Sequence, residues 1–267
     1  MVIEQRPGSR PVLFLHGFSF DRRLWYQLSA LLPASYRLLL GDLPGFGESP
    51  LPSAPCPPTD TVVAALDALG IDEPLDVVGH SYGGEVALGL ALCAPRRVAS
   101  LTLIGSGVTG FPTPPEWSTH MDRVKTAVAE GGAEAGLAAW RSHPNFGVPG
   151  SVLHHDLVTL TDRYTGWHWT RPELTASLTP TISRLDEIRV PTLILVGEHD
   201  TDQARQMAAA LASGITDSCL VTLPGVGHVP PAEDPNRVAD ELVAFLSSTS
   251  PPGAVANRQS QSHPFEP

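Results

Sequence analysis

Between Val12 and Leu223 the sequence alternates six short apolar runs with helical patterns, and few architectures accept that alternation. The runs fall at 12–15, 37–40, 75–78, 101–104, 192–196 and 220–223. Each is nearly continuous in apolar residues, which predicts parallel strands covered on both faces. Between them, Val62, Val63, Leu66 and Leu69 make one helical face, and Val238, Leu242, Phe245 and Leu246 make another. The segment 86–94 is apolar nearly all round, so its helix is expected at the centre. The expected fold is α/β, a mostly parallel, doubly wound sheet. Its N-terminus is short, with room for one extra strand at Val2–Arg6 turning at Pro7-Gly8.

The alternation stops at Gly107 and resumes near Asp186. Residues 107–185 carry helical patterns (Met121, Val124, Val128; Leu153, Leu157, Leu160, Tyr164) without a strand, and hold four of the five tryptophans. We expect a helical lid there, inserted into a core formed by 1–106 and 186–249. Ser, Pro and Gln dominate residues 250–267, which predicts a disordered tail. A length of 267 residues suits one large domain with such an insertion.

The formal net charge of −11, without Lys/Arg clusters, argues against a nucleic-acid partner. No run of about 18 apolar residues occurs, and the first residues lack a signal-peptide pattern, so no membrane association is expected. Cys56, Cys93 and Cys219 lack metal-ligand spacing and are expected as reduced thiols in a cytoplasmic protein.

Gly79-His80-Ser81-Tyr82-Gly83-Gly84 lies between the run 75–78 and the apolar helix. A serine on so sharp a strand-to-helix turn is strained, and the residues two before and two after it crowd together. Glycine at both places answers that crowding. The turn exposes the Ser81 hydroxyl above the sheet and sets the Tyr82 backbone N–H at a helix N-terminus, where an oxyanion would form. By composition alone G-x-S-x-G would arise with odds of roughly one in six, so its position between strand and helix carries the weight.

A serine hydroxyl needs a base to attack a carbonyl at neutral pH. Among ten histidines, His16, His80, His199 and His228 sit at the C-terminal ends of strands. His16 precedes the nucleophile and His80 lies inside the turn, which favours His228. The acid expected to orient it is Asp200, in Gly197-Glu198-His199-Asp200, with Glu198 and Asp202 as neighbouring rivals. After the strand that follows the serine the chain reads Gly105-Ser106-Gly107, with no carboxylate. The order Ser81, Asp200, His228 is the one this architecture uses.

These residues resemble the α/β-hydrolase superfamily over most of the chain except the lid and tail. His16-Gly17-Phe18 is similar to its oxyanion loop, which implies the Phe18 backbone N–H as second oxyanion donor. Asp42-Leu43-Pro44-Gly45-Phe46-Gly47-Glu48-Ser49 resembles its turn after the next strand, and Gly227-His228 with Glu233 and Pro235 resembles its histidine loop. The side chains of His16 and Glu233 are read as structural hydrogen-bonding groups in those loops.

The expectation is a serine hydrolase acting through an acyl-enzyme, without metal or organic cofactor. Its small-molecule substrate is expected to be a carboxylic ester or lactone, largely apolar or aromatic. Trp117, Phe146, Tyr164, Trp167 and Trp169 are the candidate pocket walls. His154-His155 lacks partner ligands for a metal. Carbon–carbon bond hydrolase or lyase, perhydrolase, non-hydrolytic cyclase and receptor readings use the same pocket. The menaquinone-pathway lyases of this fold carry an arginine after the elbow glycines, where this chain has Glu85. A carboxylate there is expected either to repel an anionic substrate rather than hold it, or only to complement the helix N-terminus.

Overall fold

The computed structural model describes residues 1–178 and 180–249, so the expected tail, 250–267, lies outside the described residues. The strands are β1 (Val2–Arg6), β2 (Arg10–Leu15), β3 (Tyr36–Asp42), β4 (Leu75–His80), β5 (Val98–Ile104), β6 (Thr192–Gly197) and β7 (Ser218–Leu223). The helices that follow and separate them are α1 (Tyr26–Leu31), α2 (Pro58–Ala68), α3 (Tyr82–Cys93), α4 (Pro115–Arg141), α5 (Val152–Thr159), α6 (Trp167–Thr170), α7 (Asp202–Gly214), α8 (Pro230–Glu233) and α9 (Pro235–Ser248).

The seven strands of the described residues form one sheet in the order β1-β3-β2-β4-β5-β6-β7, in which β1 alone runs antiparallel. β1, at 2–6 as expected, forms one edge of that sheet beside β3. Because successive side chains point to opposite faces, each apolar run feeds two cores. Val12 and Phe14 join Val238, Leu242 and Leu246 of α9 on one side. Leu13 and Leu15 join Val62 and Leu66 of α2 and Val86 and Leu90 of α3 on the other. Each such fully buried side chain stabilises the fold by about 1.5–3 kcal/mol relative to exposure.

The run 220–223 departs from the doubly covered pattern. β7 is an edge strand with no further strand paired to it among the described residues, and its Cys219, Leu220 and Thr222 are exposed. Helix starts follow local chemistry: Thr201 accepts from the Ala204 N–H to cap α7, and Asp234 accepts from the Arg237 N–H to cap α9. The three cysteines are free and exposed.

Between β5 and β6 the described residues are helical or irregular. α4 is broken at Gly132, whose φ of 72° no ordinary side chain favours. The insertion is tied to the core by ions: Arg23 pairs with Asp21 and with Asp162 of the insertion. Arg22 gathers Glu4, Asp42 and Glu48, joining β1, β3 and the turn after β3.

Candidate active site

Ser81 sits between β4 and α3 with φ 50°, in the left-handed region that a non-glycine residue enters only under constraint. The constraint is steric. A Cβ on Gly79 would stand 2.5 Å from the Gly83 carbonyl oxygen, and one on Gly83 would stand 2.1 Å from that of Leu15. Glycine at both positions lets the turn close.

Two other loops meet Ser81 at this sheet edge. His228 Nε2 lies 3.2 Å from Ser81 Oγ, and His228 Nδ1 lies 2.9 and 3.0 Å from the two Asp200 oxygens. With Nδ1–H donating to Asp200, Nε2 is left to accept the Ser81 proton. Burial alone would push the imidazole pKa down; the Asp200 charge and hydrogen bond outweigh it and hold the pKa above the ordinary 6.5. Burial pushes Asp200 up, but His228 and the Thr201 N–H leave its carboxyl below the usual range. The rivals are engaged elsewhere: Glu198 accepts from the Gly225 N–H, and Asp202 pairs with Arg205.

Two other side chains hold the backbone of the loop that carries His228. Glu233 accepts the Gly227 N–H and the Val229 N–H, both at 2.7 Å, and so clamps the backbone on either side of His228. His80 Nε2 donates to the His228 carbonyl at 2.9 Å, and burial drives the His80 pKa down to about 3, keeping that ring neutral. His16 accepts the Leu43 N–H at Nε2 and donates from Nδ1 to the Gly17 carbonyl, fixing the loop that carries Phe18. The Phe18 amide lies in that loop and the Tyr82 amide opens α3; neither is committed to a hydrogen bond among the described residues.

Above Ser81 and His228 opens a cavity of about 1410 Å³. Trp117 and Phe146 line it, whereas Tyr164, Trp167 and Trp169 do not. Those three seal the seam between insertion and core. Tyr164 stacks on Phe46 with ring centroids 5.2 Å apart and donates its hydroxyl to His168 Nδ1. Trp167 lies over Gly45, where a Cβ would come within 2.4 Å of Nε1, and Trp169 packs against Phe18. Among the wall residues that sequence reasoning passed over are Trp140, His120 and His143. His120 and Trp117 are three apart on α4, so the helical period was the signal for one of them. Trp140 Nε1 donates to Ser19 Oγ at 2.9 Å and so braces the Phe18 loop.

The described residues hold no cluster of His, Cys, Asp and Glu able to bind a metal, and His154 Nδ1 bonds the Phe146 carbonyl. No helix among them is long and apolar enough to cross a membrane.

A family model described as "Alpha/beta hydrolase family" matches residues 12–241. Monoacylglycerol lipase ABHD6 of Bos taurus is 26% identical over 272 residues, spanning 91% of this chain and 77% of the relative. A thermophilic esterase from Thermogutta terrifontis superposes with a TM-score of 0.74 at 27% identity, covering 93% of each chain. Est816, described as an N-acyl homoserine lactone degrading enzyme, superposes with a TM-score of 0.65 at 26% identity, covering 91% of this chain and 96% of its own.

Proposed function

The chain belongs to the alpha/beta hydrolase family, and on that premise we propose that it cleaves a carboxylic ester or lactone through a Ser81 acyl-enzyme. The observation that carries this reading is His228, bridging Ser81 Oγ and the Asp200 carboxylate at the floor of one cavity. Ser81 Oγ attacks the carbonyl carbon while His228 Nε2 takes its proton. Asp200 holds the tautomer and stabilises the imidazolium. The Phe18 and Tyr82 amides receive the oxyanion, each worth about a hundred- to a thousandfold in rate. His228 then returns the proton to the leaving alkoxide. Water, deprotonated by the same nitrogen, attacks the acyl carbonyl and releases the acid.

The apolar and aromatic lining from Phe18, Phe20, Trp117, Trp140 and Phe146 supports a substrate with an apolar or aromatic part. The helical insertion, which supplies Trp117, Trp140 and Phe146, acts as the lid. The esterase and lactone-degrading relatives favour the ester and lactone classes. The test is labelling of Ser81 by a fluorophosphonate together with p-nitrophenol release from short-chain and aromatic esters. Ser81→Ala abolishes both on this reading, and undiminished turnover by that variant would refute it. Labelling without turnover of any ester or lactone points instead to a cyclase or receptor.

A further inference from the structure

We propose that Glu85 makes this cavity select substrates with a positively charged group and turn away anionic ones, an inference that rests on the ester-hydrolase reading. Glu85 stands in the first turn of α3, four residues after the nucleophile, and its side chain lines the same cavity as Ser81 and His228. It lies flat against bare backbone: a Cβ on Gly107 would come within 2.3 Å of Glu85 Oε1. Gly107 in turn is fastened beside the nucleophile by its N–H, which donates to the Ser81 carbonyl at 3.2 Å.

Among the described residues no donor and no cation meets the Glu85 carboxylate, although other carboxylates around the cavity floor have partners. Asp200 has His228 and Asp202 has Arg205. The histidines that line the same cavity do not supply the missing charge, His228 being already paired with Asp200. Burial pushes His143 down to about 4 and His80 to about 3, and lowers His120, so these rings are neutral. The Tyr82 phenol is pushed up by burial and by Glu85 itself, and does not ionise. The described lining carries the carboxylates Glu85, Glu116 and Asp202 against one guanidinium, Arg123, which is exposed. Burial raises the Glu85 carboxyl to about 7, so at pH 8 it is a largely ionised group with no partner.

A cationic substrate group completes that pair, and the aromatic faces of Trp117, Trp140 and Tyr82 on the same cavity suit an ammonium centre. An anionic group meets a second negative charge in a partly desolvated space, which is costly. Glu85 is therefore a specificity-determining residue, separate from the proton transfers at Ser81 and His228.

The experiment measures second-order rates of Ser81 labelling at pH 8 by three fluorophosphonates whose chains end in trimethylammonium, tert-butyl or sulfonate. The wild-type protein is expected to react with the cationic probe at least about tenfold faster than with the anionic one. Glu85→Gln, checked for folding by near-UV circular dichroism, is expected to reduce that ratio at least about tenfold. A wild-type ratio near one, or a ratio that Glu85→Gln leaves unchanged, overturns the proposal. The labelling readout is independent of turnover. Probes that label with the expected ratio while no ester is hydrolysed sink the hydrolase reading and leave charge selection standing. No labelling by any probe sinks both.

Discussion

Replacing Glu233 by alanine tests whether a residue outside the proposed trio of Ser81, His228 and Asp200 positions His228. Its two oxygens accept the Gly227 and Val229 N–H groups at 2.7 Å, one on each side of His228. Hydrogen bonds to a charged acceptor contribute about 1.5–3 kcal/mol each. Glu233 is half-buried, so solvent screens part of this and about 2–3 kcal/mol for the pair is the working figure. For a chain of this size that lowers Tm by roughly 4–10 °C. The rate effect is expected to be larger, because a base displaced by about 1 Å costs on the order of a hundredfold. Glu233 also helps to raise the His228 pKa, so removing it shifts the acid limb of the kcat/KM profile to lower pH. Glu233→Gln keeps one acceptor but faces the other N–H with an amide. Its rate and Tm fall between those of the wild type and alanine variants, while its acid limb shifts as in alanine. The assay is p-nitrophenyl butyrate hydrolysis across pH 5 to 9, with Tm by calorimetry. An alanine variant within threefold of wild-type kcat/KM, with an unmoved acid limb, would refute the clamp.

Asp200→Asn removes the charge that raises His228 and favours the wrong tautomer, so kcat drops about 10⁴-fold while far-UV circular dichroism is unchanged. On the proposed mechanism the reactive form of the wild type carries neutral His228, whose pKa lies above 6.5, so kcat/KM climbs as pH rises through the raised pKa; a midpoint well below 6.5 contradicts the pairing. The stabilising part of the His228–Asp200 pair runs the other way, fully present below pH 6.5 and lost as pH rises through the raised pKa. Trp140→Phe strands the buried Ser19 hydroxyl and loosens the Phe18 loop, costing about 1–3 kcal/mol in urea unfolding and lowering kcat more than it raises KM. Arg22→Met leaves the fully buried Asp42 without its guanidinium, which destabilises by about 3–5 kcal/mol, read as a lower urea midpoint.

The parts of the site that were legible are those set by neighbours in sequence. Gly79 and Gly83 are glycine because the turn around Ser81 leaves no room for a Cβ, and that crowding spans five consecutive residues. Asp200 and His228 each follow a strand, so their positions along the chain already put them at one sheet edge. The aromatic residues between β5 and β6 were not legible in the same way. Trp117 and Trp167 are both indoles in a helical insertion, yet one lines the cavity and the other covers Gly45. Composition does not separate them, since the choice depends on which face of each helix meets the core.

The same division holds for the whole molecule. Periodicity and local sterics, written into adjacent residues, determined that strands and helices alternate, that Ser81 sits on a strained turn, and that the chain is an α/β protein with one helical insertion. Long-range packing decided that β3 lies outside β2, that the run 220–223 lies at the sheet's edge, and that Glu85 lines the cavity without a counter-ion among the described residues. Burial and charge balance are sums over residues far apart in the chain, and only the folded arrangement brings those residues within reach of one another.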